Sequence, residues 1–149
     1  MTAPNPVAVQ RCIRAALEVA ATDATEVDVI NGHLTATAMD ALEIRNWSTA
    51  LQRRSIDFPI INSLKGMIGH TLSAAGSIEC VASILQLHQG FVFPNVNCED
   101  LHPEVLETID ASCIPQTMIA KEFDILVKAS FGFGDVNACI VFKKYHDGK

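Results

Sequence analysis

The stretch that covers residues 62–76 constrains the fold more than any other part of the chain. It reads Asn-Ser-Leu-Lys-Gly-Met-Ile-Gly-His-Thr-Leu-Ser-Ala-Ala-Gly and follows a short apolar run at 59–61. Such a run predicts a buried strand, and the loop after it holds a lysine, two glycines and a histidine. A long apolar segment then predicts a helix that starts at His70. The stretch therefore predicts a strand, a polar loop and a helix, which together make one βα unit.

Strands and helices alternate along the rest of the chain. Helical periodicity predicts helices over residues 6–20, 40–54 and 71–89. β-rich runs predict strands over residues 27–30, 58–62, 126–130 and 137–144. This order predicts an α/β fold with right-handed crossovers onto a mostly parallel sheet, closed by an antiparallel hairpin. Residues 95–121 are expected to form a long loop.

The predicted helix over 71–89 is apolar on nearly all sides and carries one charge, Glu79. A helix of this composition is expected to be buried on most of its faces. A lone carboxylate in it needs a counter-charge, and Lys65 in the preceding loop is the obvious candidate. The alternative is a surface Glu79 at a gap in the packing.

Two histidines follow the ends of neighbouring predicted strands. His33 comes after the strand at 27–30, and His70 comes after the strand at 58–62. Ligands of open α/β sheets bind beyond the carboxyl ends of the strands, so His33, Lys65 and His70 are candidates for a site that holds an anion formed during a reaction. At a helix start His70 would stay neutral and could donate to an oxyanion. For each histidine taken alone, the alternative is a loop or core residue without a chemical role.

The composition argues against several classes of protein. A net charge of −6 argues against nucleic acid or an anionic membrane as the main partner. The five cysteines are odd in number and scattered, which fits free thiols in the cytoplasm. Cys98 and His102 lack two further ligands at zinc-site spacing, so no metal is expected. Neither a secretion signal nor a membrane span is indicated. The high apolar content, 49%, fits a chain with apolar surface left for a partner.

Taken together, three motifs resemble those of the β-ketoacyl-[acyl-carrier-protein] synthases, the thiolase-fold condensing enzymes of fatty acid and polyketide synthesis. Residues 31–37 resemble the first histidine motif, residues 62–76 the lysine–glycine–histidine motif, and residues 129–137 the terminal glycine-rich turn. The likeness covers nearly all of the chain and is to the C-terminal part of a synthase II-like enzyme. It implies one half-domain over residues 1–149, with three α-β-α layers and a mixed sheet. The first strand of that half would precede Met1 and leave an open position at the sheet centre, between the strands at 27–30 and 126–130.

The resemblance implies a role for each motif. His33 and His70 would hold the thioester carbonyl of a malonyl unit and stabilise the enolate left by its decarboxylation. Lys65 would pair with Glu79 and order the pocket. Four residues are expected to bind the substrate. Thr35 and Thr37 would bind a phosphopantetheine arm, Phe131 would gate the acyl pocket, and Phe133 is the fourth.

The implied reaction is a decarboxylative Claisen condensation, which is an acyl transfer. The malonyl unit would arrive as a phosphopantetheine thioester on acyl carrier protein, and no resident cofactor is implied. The family's nucleophilic cysteine lies in the N-terminal half, and no cysteine here has its context. The chain is therefore expected to need a Cys-bearing N-terminal portion within a dimer of the complete enzyme, and to be inactive alone. The alternatives are a non-catalytic partner subunit of the chain-length type and an inactive fragment.

Three departures from the family pattern bear on acyl chain length more than on the reaction. Leu34 replaces the usual glycine after the first histidine. Asp135 and Val136 replace Gly-Thr in the terminal turn and place a charge near the gate. The segment at 37–40 is one residue shorter than in the usual family pattern.

Overall fold

Five α-helices and six strands form the part of the chain that the computed structural model describes, residues 5–146. The helices are α1 (Pro6–Val19), α2 (Asp40–Leu51), α3 (Lys65–Ile68), α4 (Ala75–Gln89) and α5 (Pro103–Leu106). The strands are β1 (Val29–Asn31), β2 (Ile60–Asn62), β3 (Phe91–Val92), β4 (Ile119–Ala120), β5 (Ile125–Phe131) and β6 (Asn137–Lys143). Within this range, the side chain of Phe133 is not part of the description.

The main sheet has the strand order β2-β1-β5-β6. β1 is parallel to both of its neighbours, and β5 and β6 form an antiparallel hairpin. The predicted α/β class, with a mostly parallel sheet that ends in a hairpin, is confirmed. β3 and β4 form a separate two-stranded ribbon. β4 and α5 lie within residues 95–121, the region expected to be loop only.

The expected open position at the centre of this sheet is wrong. β1 and β5 pair directly, with Val29 opposite Leu126 and Asn31 opposite Lys128. Paired strands lie about 4.8 Å apart, which leaves no room for another strand between them. Within residues 5–146 the free edges of the sheet are β2 and β6.

Helices α1 and α2 cover one face of the sheet. Asn5 caps α1 by accepting the N–H of Ala8 at 3.3 Å, and Pro6 follows at the first helical position. The predicted apolar stripes of both helices are buried. They face the odd-numbered side chains of β5, and this core includes Val9, Ile13, Leu17, Ala41, Ile44, Trp47, Leu51, Ile125, Val127 and Ala129.

Helix α4 covers the other face, which completes the three layers. Leu87 of α4 packs with Val29 and Leu126 on the side of the sheet away from α1. Alternate residues of β5 point to opposite faces, so Lys128 lies on the same side as Leu126 and faces α4. The ion pair of Lys128 with Glu79 of α4 agrees with this orientation.

The expectation that α4 is buried on most faces is wrong. Its outward side is apolar and exposed, with Ile78 38%, Val81 58%, Ile84 49% and Leu85 45% accessible. Its inward side carries Glu79, Ser83 and Gln86, which are buried. Ala75 and Leu87 are buried on the same side. The helix therefore buries three polar side chains and exposes an apolar stripe, and nothing in residues 5–146 covers that stripe.

None of the helices in the described range combines the length and the apolar character needed to cross a membrane.

Shortening Ile13 is expected to test the packing of α1 on the sheet. Ile13 has no exposed surface, whereas Val7 on the same helix is 72% exposed. Replacing a buried isoleucine by alanine costs ~2–5 kcal/mol. In urea denaturation we expect Ile13→Ala to lower the free energy of unfolding by about that amount and Val7→Ala to change it by less than ~0.5 kcal/mol. Equal losses in the two variants would contradict the assigned burial.

Candidate active site

Two carboxylates at the start of α2 shape the loop that carries His33. Glu43 accepts the backbone N–H of His33 at 2.7 Å and that of Leu34 at 2.9 Å. Asp40 accepts the N–H groups of the next three residues at 3.0–3.3 Å. The sequence pattern does not single out either residue, although acidic residues in the first turn of a helix are a recognisable signal. The position of His33 is thus fixed by hydrogen bonds to α2.

Glu43 is a buried carboxyl without a cationic partner in the described part of the chain. Burial raises its pKa to about 7, while the hydrogen bonds from His33, Leu34 and Trp47 act in the opposite direction. The nearby charge of Asp40 adds to the increase. The loop is therefore held by a group that titrates near neutral pH.

His70 lies in the loop between α3 and α4. The expected helix start at His70 is wrong, because Leu72–Ala74 form a 3₁₀ turn and α4 begins only at Ala75. His70 therefore does not lie at the positive end of α4. Instead, Nδ1 of His70 accepts the N–H of Leu72 at 3.1 Å. A neutral His70 consequently carries its proton on Nε2, where it can be donated.

The two histidine rings meet edge to face. Their centroids are 5.4 Å apart with an interplanar angle of 82°. The ring of Phe131, at the end of β5, lies 6.4 Å from that of His33. His33 is half-buried, and its Nδ1 is a buried atom without a hydrogen-bond partner in the described part of the chain. A ligand at this point could supply that partner.

His33 is uncharged at neutral pH. Burial lowers its pKa to about 4. Lys65, His70 and, with the smallest effect, Lys128 act in the same direction, and Glu79 acts in the opposite one. An uncharged imidazole has one N–H that it can donate without losing its proton to solvent. Both histidines therefore have the properties of hydrogen-bond donors to a developing oxyanion.

Behind the histidines lies a buried charge cluster. Glu79 is 1% exposed, and one of its carboxylate oxygens pairs with Nζ of Lys65, as the sequence predicts. The other oxygen lies 2.8 Å from Nζ of Lys128, a residue that the sequence does not single out. The alternative of a surface Glu79 is excluded.

A cavity of about 390 Å³ brings most of the predicted site residues together. His33, His70, Thr35, Thr37 and Phe131 all line it. The hydroxyl oxygens of Thr35 and Thr37 lie 3.2 Å apart. Lys65 and Glu79 do not line this cavity, and the side chain of Phe133 is outside the described part. Other lining residues include Asp40, Glu43 and Asp135.

The five cysteines are free thiols, and none of them lines this cavity. Burial raises the pKa of each thiol, to about 12 for Cys139. Since the thiolate is the nucleophilic form, this site has donors for an anion but no activated sulfur of its own. Cys98 and His102 line a second cavity of about 610 Å³, and residues 5–146 contain no group of three side chains placed to hold a metal.

Comparison with known proteins gives this arrangement a family. The family described as beta-ketoacyl synthase, C-terminal domain, matches residues 1–99. The chain belongs to this family. The resemblance read from the three motifs is therefore confirmed at the level of the family.

Individual synthases and solved structures show how much of their own length the chain matches. It is 37% identical over 134 residues to 3-oxoacyl-[acyl-carrier-protein] synthase 2 of Vibrio harveyi, covering 87% of this chain and 31% of that one. Among solved structures, a type II PKS acyl-carrier protein in complex with its ketosynthase has 30% identity and a TM-score of 0.85, covering 98% and 35%. The ishigamide ketosynthase/chain length factor has 27% identity and a TM-score of 0.86, covering 97% and 34%. The chain thus spans about a third of the length of the relatives it matches.

The raised pKa of Glu43 leads to an expected pH dependence of stability. Its folded-state pKa of about 7 exceeds the ordinary value of 4.5, so the folded state binds more protons between these values. The free energy of unfolding should therefore decrease as the pH rises from about 4.5 to about 7, by up to roughly 3 kcal/mol from this group.

Urea denaturation of Glu43→Gln across this pH range should show a flatter profile than that of the wild type. The matched control is Glu18→Gln, at an exposed position of α1. Parallel profiles for Glu43→Gln and the wild type would contradict the assignment.

Proposed function

We propose that residues 1–149 form the C-terminal half-domain of a 3-oxoacyl-[acyl-carrier-protein] synthase of fatty acid or polyketide synthesis. The proposed reaction is the decarboxylative Claisen condensation of a malonyl thioester with an acyl group held on a cysteine. The observation that carries the proposal is the edge-to-face pair of His33 and His70 at the wall of the cavity, with their ring centroids 5.4 Å apart. Membership of the synthase family supports it.

The proposed role of the two histidines is to stabilise charge on one oxygen atom. When the bond between the α-carbon and the carboxylate of the malonyl group breaks, CO₂ leaves and its bonding electrons pass into the thioester as an enolate. Nε2–H of His70 and the N–H of His33 would donate to the enolate oxygen. A donor of this kind stabilises the transition state by ~2.7–4 kcal/mol. The enolate carbon then attacks the acyl thioester carbon, and the cysteine sulfur leaves as the thiolate.

We propose that this cysteine comes from an N-terminal synthase portion. The raised pKa of all five thiols and their absence from the lining of the cavity support this part of the proposal. Without an acyl-cysteine the enolate has no thioester carbon to attack. Residues 1–149 alone are therefore expected not to complete a condensation.

We propose that the N-terminal portion binds to the exposed side of α4. Ile78, Val81, Ile84 and Leu85 form one apolar stripe along the helix. An exposed stripe of this kind marks an interaction surface. The same helix buries three polar side chains, Glu79, Ser83 and Gln86, while it exposes these four apolar ones. This departure from the usual arrangement of a surface helix supports a covered outer side.

The substrate would be delivered by acyl carrier protein. Its phosphopantetheine arm offers amide and hydroxyl groups, and the hydroxyls of Thr35 and Thr37 at the cavity are suitable partners for them. The arm belongs to the carrier, so the reaction needs no cofactor resident on this chain. The complete enzyme would act as a dimer in the cytoplasm, where the five free thiols fit a reducing environment.

A non-catalytic partner of the chain-length type would need no pair of donor histidines. The uncharged His33, the fixed tautomer of His70 and the buried ion pairs behind them favour a catalytic role over this alternative.

Removing either histidine is expected to slow decarboxylation. We would combine the chain with the N-terminal portion of a relative, such as the Vibrio harveyi synthase, and measure CO₂ release from a malonyl thioester. His33→Ala and His70→Ala should each reduce the rate by about 10²–10³-fold, because each removes an oxyanion donor. The control is His146→Ala, at an exposed position far along the chain from both motifs. Unchanged rates in both histidine variants would contradict the proposed chemistry.

Charged substitutions on α4 are expected to prevent assembly. Val81→Asp or Leu85→Asp would place a carboxylate in the proposed apolar interface, where burying it without a partner is unfavourable. Binding of the N-terminal portion, measured by calorimetry, should weaken by at least about tenfold. Leu106→Asp on α5 is the control, since Leu106 is similarly exposed at 46%. Equal binding by all three variants would place the interface elsewhere.

A further inference from the structure

Lys128 is a buried lysine in the middle of the sheet. It is 2% exposed and lies on β5, between β1 and β6. Its Nζ contacts Oε2 of Glu79 at 2.8 Å, the carbonyl oxygen of Ala129 at 3.1 Å and the hydroxyl of Ser130. The side chain is thus fully engaged, although the site as described above needs only Lys65 and Glu79.

The buried cluster contains more positive than negative charge. Lys65 and Lys128 pair with the same carboxylate, one with each oxygen of Glu79. The ion pairs found in residues 5–146 give neither lysine a second carboxylate. Two ammonium groups and one carboxylate leave one positive charge in excess, in a place where an unbalanced charge is unfavourable.

The other groups near this cluster are uncharged. Burial lowers the pKa of His33 to about 4, and Lys65, His70, Glu79 and Lys128 also act on it electrostatically. The thiols of Cys80 and Cys139 sense the charge of Lys128, and burial raises the pKa of both. None of these three groups can supply the missing negative charge at neutral pH. An anion held by the two histidines would lie in the field of the excess charge.

We propose that Lys128 is a positioning residue that holds Glu79 from the side opposite Lys65 and leaves the cluster one positive charge in excess, which an anion bound by His33 and His70 would balance. The inference rests on the proposed function, in which that anion is the enolate. The charge acts in two ways. It attracts the enolate, and it opposes protonation of His33, because like charges disfavour each other in a buried site.

Lys128→Met tests this proposal, since methionine keeps much of the length of lysine and removes its charge. Lys121→Met, at an exposed position just before β5, is the matched control. In NMR titrations of the full chain we expect the pKa of His33 to rise in Lys128→Met and to stay unchanged in Lys121→Met. Glu43 also faces His33, through its backbone N–H, and the charges of Lys65, His70 and Glu79 stay in place, so the difference reports Lys128 alone.

The second readout is the pH profile of malonyl-thioester decarboxylation, measured with the chain and the N-terminal portion together. Misplacing a reacting group by ~1 Å can cost ~10²-fold, so we expect Lys128→Met to lower the rate about tenfold to a hundredfold. The acid limb of the profile should move to higher pH, because His33 is more easily protonated. A loss of packing alone would not move that limb.

The outcomes separate the two proposals. An active wild type, with Lys128→Met equal to Lys121→Met in both readouts, overturns the role of Lys128 and leaves the proposed function intact. No CO₂ release from the wild type contradicts the proposed function and this inference with it. If Lys128→Met does not fold, lysine-selective ¹⁵N NMR of the wild-type chain decides the point. An ammonium signal for Lys128 at pH 7 supports the excess charge, and a neutral amine overturns it.

Discussion

The carboxylate of Glu79 is the constraint on which the arrangement of the site depends. It is 1% exposed and joins three elements, since it lies on α4, pairs with Lys65 at the start of α3 and pairs with Lys128 on β5. Removing one partner of a buried ion pair costs ~3–5 kcal/mol, so these elements cannot shift independently. β5 ends at Phe131, and the loop after α3 carries His70. One buried carboxylate thus fixes the position of Phe131 relative to that of His70.

Two further carboxylates fix the other histidine from the opposite face of the sheet. Asp40 and Glu43, on α2, accept five backbone N–H groups of the loop that contains His33. Each histidine is therefore positioned through its own helix. The two supports differ in charge, since Glu43 has no cation and titrates near pH 7, whereas Glu79 lies between two ammonium groups. The two histidines that they position both line the 390 Å³ cavity.

Local patterns predict much of this arrangement, and long-range contacts account for what they miss. The periodicity around Trp47 and the motif at 62–76 predict α2, β2 and the pairing of Lys65 with Glu79. The pattern does not predict the role of Lys128, because the sequence around a strand residue does not indicate which side chains it faces. The closed sheet centre and the exposed side of α4 also depend on partners distant in sequence. The true start of α4 depends on Leu72, whose positive φ of 52° no residue pattern indicates.

The two sides of α4 connect the chemistry to assembly. Glu79 lies on its buried side, while Ile78 and Val81 lie on its exposed side within two residues of it. On the proposed function, a portion that packs against the exposed side would bring a cysteine to a cavity whose donors are already in place. The charge cluster needs no such partner, because both of its ion pairs are formed within this chain. On the same proposal, residues 5–146 would supply the stabilisation of the anion, and assembly would add the sulfur nucleophile.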